Sequence, residues 1–165
     1  GIAIFTNKKP HNAFHAIPSF IIDKLLGIQP RDYIQAYKDF EKDEEEKREK
    51  DDRKRDESRC KNSHPSLPLE KYAGAYESTI LGGAVIYVGE EGLQIQLQAH
   101  KSMYGLLEHW HYDTYLCKWD DPLLGESLIS FISDGQGNIT EFRVRIREDY
   151  LDSLEHKFKK KHSIL

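Results

Sequence analysis

Leu106-Leu107-Glu108-His109-Trp110-His111-Tyr112-Asp113-Thr114-Tyr115 is the densest run of aromatic and imidazole side chains in the chain, and its reading decides the fold. Trp, Tyr and Thr suit a pleated, half-buried surface, so the run is expected to be extended. In a strand, alternate side chains share a face. That puts Leu106, Glu108, Trp110 and Tyr112 on one side and Leu107, His109 and His111 on the other. Strand patterns before and after the run, between Tyr72 and Lys160, supply its partners in one antiparallel sheet.

Working outward, residues 71–79 form the first strand pattern, with Gly74 at a bulge or close approach. Gly82-Gly83 turns the chain into a second pattern at 84–88, and Gly89-Glu90-Glu91-Gly92 is a hairpin loop. Leu93-Gln94-Ile95-Gln96-Leu97-Gln98 alternates, with the apolar residues inward. The opening run bends near Tyr112-Asp113-Thr114 and its second limb ends at Trp119, before the break at Asp120-Asp121-Pro122. Residues 127–133 follow, then the hairpin signal Asp134-Gly135-Gln136-Gly137-Asn138 and an alternating stretch at 139–147. In the tail, Tyr150, Leu154 and Phe158 fit a helix, but Leu154, His156 and Phe158 also alternate. A closing strand at 154–160 is the favoured reading. About eight short antiparallel strands with regular turn signals point to a barrel or a sandwich. In meander order, eight strands close into a small barrel that either fills with side chains or holds one small ligand.

The N-terminal third differs. Residues 2–5 are a short apolar run of the kind that fits a buried strand. Phe14, Ile17, Ile21 and Leu25 follow helical spacing from His11 to Leu26, with Pro18 expected to kink the helix or start a second piece and Gly27 to end it. Pro30 and Asp32 suit the start of a further helix. From residue 41 to 59 every residue except Ser58 is charged. Opposite-sign i,i+4 pairs such as Glu49/Arg53 make this a solvated spacer helix. Pro65 and Pro68 then favour an extended linker. The expected divisions are therefore 1–29, 30–66 and 67–165. The absence of an initiator Met and the apolar opening run suggest a piece of something longer.

A net charge of −4 with interspersed signs gives no case for nucleic acid as partner. No transmembrane segment or secretory signal is visible. Cys60 and Cys117, one in the charged region and one in a strand pattern, make no disulfide framework.

Three blocks carry a family resemblance: residues 67–78 (LPLEKYAGAYES), residues 107–115 (LEHWHYDTY) and residues 134–140 (DGQGNIT). Together they resemble the C-terminal lipocalin-like domain that follows the catalytic domain in many β-lactamase-like serine hydrolases. These are relatives of class C β-lactamases, penicillin-binding proteins and serine D-peptidases. Residues 1–7 and 11–27 resemble the last strand and terminal helix of that catalytic domain, whereas the charged helix is outside the pattern. The resemblance implies a mainly β chain with an N-terminal α-helical arm and an eight-stranded antiparallel lipocalin-like barrel. It implies a periplasmic or exported location and a catalytic domain as partner. The chemistry does not carry over. Ser58-Arg59-Cys60-Lys61 has Ser-x-x-Lys spacing, but it ends a charged helix and no Tyr-x-Asn or Lys/His-Thr-Gly accompanies it.

His109 and His111, on one face of a strand, have the spacing of two zinc ligands. A third from His100 or His156 would be needed, so hydrogen bonding on the sheet or at a domain contact is the favoured role, with no metal or cofactor. Asp113 completes this motif of unassigned role. Glu108, Trp110 and Tyr112 are candidate ligand-binding residues if their face lines a barrel pocket. The alternative is a filled core plugged by Trp110. The basic run 157–162 reads as an edge-blunting last strand. The first functional expectation is a non-catalytic accessory domain shaping active-site access or oligomerisation. The alternative is a small-ligand or peptide-binding barrel. The apolar arm, left without its parent sheet, is expected to fold on its own barrel or pair with a second copy as a homodimer.

Overall fold

The computed structural model describes residues 1–5, 13–99, 103–121, 124–146 and 154–161. The start of the first helix at His11, Pro122, Arg147, Tyr150 and His162 lie outside the described residues, as does His100. The chain divides into two compact units, Gly1–Ser58 and Arg59–Leu165. Residues 59–66, read from the sequence as linker, cluster with the second unit.

The second unit is a closed barrel of eight antiparallel strands in meander order. They are β1 (Gly74–Ser78), β2 (Gly82–Gly89), β3 (Gly92–Leu97), β4 (Tyr104–His111), β5 (Thr114–Trp119), β6 (Glu126–Ser133), β7 (Ile139–Val144) and β8 (His156–Lys160). Period-2 alternation builds it. Leu93, Ile95 and Leu97 are buried while the glutamines between them are only partly covered. The β6–β7 hairpin closes on Asp134, whose carboxylate accepts from the amides of Gln136 (2.9 Å) and Asn138 (2.8 Å), with Gly137 at φ 82°. These bonds hold the Asp134 carboxyl below the usual carboxylate range. In the tail the alternating reading wins. Phe158 faces Phe142 across β7–β8 with their rings stacked at 4.6 Å, and β8 also pairs β1. The basic strand is thus the barrel's closing seam, not an edge. Along its outer side Lys159 lies opposite both Glu77 and Glu141, an opposite-sign row that suits a cross-strand pair.

Side chains fill the interior. Tyr76, Tyr115, Phe131, Phe142 and Phe158 are buried in one cluster with the inward Ile, Leu and Val residues of the strands. Apart from the stacked Phe142 and Phe158, rings in the cluster meet edge to face, as the aromatic quadrupole favours, with Tyr76 to Phe142 at 4.9 Å and Tyr115 to Phe131 at 5.7 Å. Where β4 crosses β5 the strands leave no room for a side chain. A Cβ on Gly105 would stand 2.6 Å from Cys117 Sγ and 2.8 Å from the Lys118 carbonyl oxygen.

The strand expected over 71–79 begins late. Pro68 instead opens a short helix, α3 (Leu69–Tyr72), and β1 starts only at Gly74, where φ is 146°. Proline pre-sets the turn into a helix, and the gain is burial of Tyr72. Its ring packs against Phe131 (4.9 Å) and Tyr115 (5.5 Å), and Leu67 and Leu69 lie on the same core. By the order of the strands, α3 closes the end of the barrel that carries the β2–β3, β4–β5 and β6–β7 turns.

In the first unit, α1 (Ala13–Leu25) runs unbroken through Pro18, and Gly27 at φ 69° stops it as expected. The N-terminus of α2 (Tyr33–Glu57) is capped by Asp32, which accepts from the Gln35 amide at 2.9 Å. The two helices meet through the Tyr33 hydroxyl on Asp23 (2.6 Å) and the His15 and Tyr37 rings. Residues 2–5 form no strand, and Phe5 is 94% exposed. Four residues cannot form a ladder without a neighbour to pair with. No helix among the described residues is long and apolar enough to cross a membrane, which leaves strands aside.

Candidate functional site

The aromatic-histidine run forms β4, the β4–β5 turn and the start of β5. Its alternation breaks at one place: His109 pairs Tyr115 and His111 pairs Thr114, so Trp110 is the extra residue of a bulge. Before the bulge Gly105 and Leu107 are buried against the core, and His109, partly exposed, shares their side, its ring meeting the buried Tyr115 ring at 5.6 Å. After it His111 shares the outer side with Thr114, which bonds the outward Ser130. The bulge therefore separates the two imidazoles that strict alternation would put on one face. Among the described residues no group of three His, Cys, Asp or Glu side chains gathers into a metal site.

The turn that follows is held by the segment leading into the barrel. Tyr112 sits at φ 46°, an uncommon conformation for a side chain of its size. Its amide donates to Ser63 Oγ (3.0 Å), and its carbonyl contacts His109 Nε2 at 2.9 Å. The Asp113 carboxylate accepts from the Ser66 amide (2.8 Å), the Ser66 hydroxyl (2.7 Å) and the Tyr72 hydroxyl. Burial alone would raise its pKa. The bonds from Tyr72 and Ser66, with the His109 imidazole nearby, outweigh that and hold the carboxyl below the usual range. Burial, and then the same bond, push the Tyr72 phenol up.

Arg59 supplies the second fastening. Its Nε donates to the Trp110 carbonyl (2.9 Å), its Nη2 to the His109 carbonyl (3.1 Å), and its guanidinium lies 4.4 Å from the Trp110 ring centroid. The planar fork suits two adjacent carbonyls and an aromatic face at once. Between these anchors the Cys60 amide donates to His111 Nδ1 at 3.4 Å, and the Tyr112 hydroxyl contacts Cys60 Sγ at 3.5 Å.

The three candidate ligand residues do not line the barrel interior. Glu108 stands on the outer face, its side chain 49% exposed and paired with Lys118 at 2.7 Å. Trp110 is buried beneath Arg59 and stands apart from the barrel-core cluster, and Tyr112 is 61% exposed at the turn. The inward phase belongs instead to Gly105 and Leu107, whose cross-strand partners Trp119 and Cys117 are core residues. Ser58 caps the C-terminus of α2 and donates to the Arg55 carbonyl at 2.7 Å; Lys61 lies in an exposed turn. Both cysteines are free, Cys60 exposed and Cys117 buried, and burial pushes the Cys117 thiol up.

Arg59, Ser63, Ser66 and Tyr72 are the residues that sequence reasoning missed. Their partners stand some forty to fifty positions away, from 41 for Tyr72 and Asp113 to 51 for Arg59 and Trp110. Only the two prolines, which restrict the backbone around them, hinted that the segment follows a defined path.

The fold and this fastening define a closed eight-stranded meander barrel with a docked lead-in and an aromatic-filled interior. The family described as Domain of unknown function (DUF3471) matches residues 58–160, and the chain belongs to it. The matched region begins within one residue of the second structural unit, so the lead-in is part of the family's domain. No curated protein matches the chain.

Proposed function

We propose that this chain is a non-catalytic C-terminal accessory region of a β-lactamase/penicillin-binding-protein-like serine hydrolase. In that role the barrel docks on the catalytic domain and shapes access to its active site. The observation that carries this reading is the use to which the aromatic-histidine motif is put. Its turn, its bulge and its aspartate all engage the lead-in segment, through Arg59, Ser63, Ser66 and Tyr72. A barrel built this way holds its covalent connection in one path, as a domain must if it is to present a fixed surface to the domain before it. The three blocks that resemble the C-terminal domain of such hydrolases support it, and two of them carry residues of this fastening, Leu67 and Tyr72 in the first and 109–113 in the second. Reading the coding sequence upstream of Gly1 tests the proposal. An in-frame catalytic domain with a Ser-x-x-Lys is expected; a different domain there, or turnover of a chromogenic ester by the present chain that is lost on Ser58→Ala, sinks it.

The small-ligand barrel has less in its favour, because the aromatic cluster occupies the space a ligand would take. Titration with a fluorescent apolar probe separates the two readings. Saturable enhancement in the folded chain would favour the ligand barrel.

A further inference from the structure

Over its 25 residues α2 buries none, and at about 1.5 Å per residue it spans roughly 37 Å, about twice the length of α1. Its charges are segregated. Residues 39–46 hold six acidic side chains and one basic, whereas residues 47–55 hold six basic and three acidic. Intrahelical support does not require this. The i,i+3 and i,i+4 pairs, such as Lys42–Glu46 at 3.6 Å, Lys47–Glu44 at 3.7 Å and Glu49–Arg53 at 3.9 Å, need only alternating signs. The helix dipole does not explain it either. Its influence is confined to the terminal turns, the first turn has no acidic residue, and the last residues include Asp56 and Glu57.

We propose that α2 is a self-recognition surface, on which two copies of the chain pair with their α2 helices antiparallel. A two-fold axis near Glu46 and Lys47 sets the acidic stretch of each copy, net −5, against the basic stretch of the other, net +3. Such a pairing is isologous and closed, so it stops at a dimer. A parallel pairing would set like against like. The exposed Ile34, just before the acidic stretch, and Phe40, within it, give each copy apolar area to add towards the ends of the contact.

Light scattering and sedimentation on the full chain test this, at salt from about 0.05 to 0.5 M, because contacts between exposed charges are screened over that range. The expected result is a dimer whose dissociation constant rises at least about tenfold across it. A chain with Arg48, Lys50, Arg53 and Lys54 changed to Glu, and another with Asp43, Glu44, Glu45 and Glu46 changed to Lys, should each be monomeric. Mixed one to one they should form a heterodimer. Far-ultraviolet circular dichroism checks that both keep their helix. If either loses it, cross-linking decides: in a Cys60→Ser background, Glu46→Cys should form a disulfide dimer at low salt faster than Glu57→Cys. A monomer at every salt concentration, a dimer indifferent to salt and to both inversions, or equal cross-linking at the two positions overturns the proposal.

Discussion

The Tyr72 hydroxyl donates to the carboxylate of Asp113, 41 residues further along the chain, and so joins the helix that closes the barrel base to the turn between β4 and β5. The same carboxylate holds Ser66 by both its amide and its hydroxyl. One side chain thus fastens the lead-in at two points.

Asp113→Ala should cost about 2–3 kcal/mol, since bonds to a charged acceptor are worth roughly 1.5–3 kcal/mol each and act here as one coupled unit. Chemical denaturation measures it. A double-mutant cycle with Ser66→Ala should show coupling, and strict additivity would contradict the shared site. The pH dependence has a defined sign. The folded carboxyl titrates below its ordinary value, so this stabilisation is complete above the unfolded pKa. It is lost as the pH falls through the folded value, and the Asp113→Ala variant should lack that part of the acid sensitivity. Asp113 keeps some contact with solvent, so the effect should be a fraction of the acid-induced loss.

Arg59→Ala should loosen the lead-in without unfolding the barrel. Limited proteolysis should cut between residues 59 and 66 several-fold faster, while the near-ultraviolet dichroism of the core persists. Arg59→Lys should restore little, because an ammonium cannot span two carbonyls and lie flat on the Trp110 ring. Full protection in the lysine variant would show that charge alone suffices.

Two buried tyrosines should respond oppositely to loss of their hydroxyls. Tyr76 donates to the Tyr72 carbonyl at 2.6 Å, so Tyr76→Phe strands that carbonyl and should cost about 1–2 kcal/mol. The Tyr115 hydroxyl is buried, and its interaction with the Tyr72 phenol falls short of a well-formed hydrogen bond. Tyr115→Phe should lie within about 0.5 kcal/mol of the parent or stabilise it, because removing an unsatisfied group removes its desolvation cost. Matched thermal melts of the two variants compare them directly, and equal losses would refute the contrast.

Gly105→Ala should destabilise by about 2–4 kcal/mol through overpacking between β4 and β5. Adding Cys117→Ala should rescue part of this, since it removes the sulfur 2.6 Å from the new Cβ but leaves the Lys118 carbonyl at 2.8 Å. Complete rescue would show that the backbone yields at that crossing. Denaturant midpoints of the single and double variants decide it.

The strands were readable because a half-buried strand writes its period into the sequence locally. Leu93, Ile95 and Leu97 against their glutamines, or Phe142 and Val144 against Glu141 and Arg143, need no knowledge of the rest of the chain. The site was much less readable. Along β4 both faces carry apolar or aromatic groups, so alternation defines two sides without saying which is inner. The face that carries Glu108, a candidate pocket lining, is the outer one. The bulge at Trp110 then reversed the relation of His109 to His111, and a single inserted residue leaves no mark on composition.

By itself, then, the sequence determined which segments extend, where they turn and that they suffice to close a barrel, because period, turn chemistry and breakers act over a few neighbouring residues. Only the tertiary structure decided which face of β4 looks inward, that residues 69–72 coil to close the base, and that Arg59, Ser63 and Ser66 hold the turn at 112–113. Those outcomes depend on groups some forty to fifty residues apart meeting in space, and no local pattern encodes which of them meet.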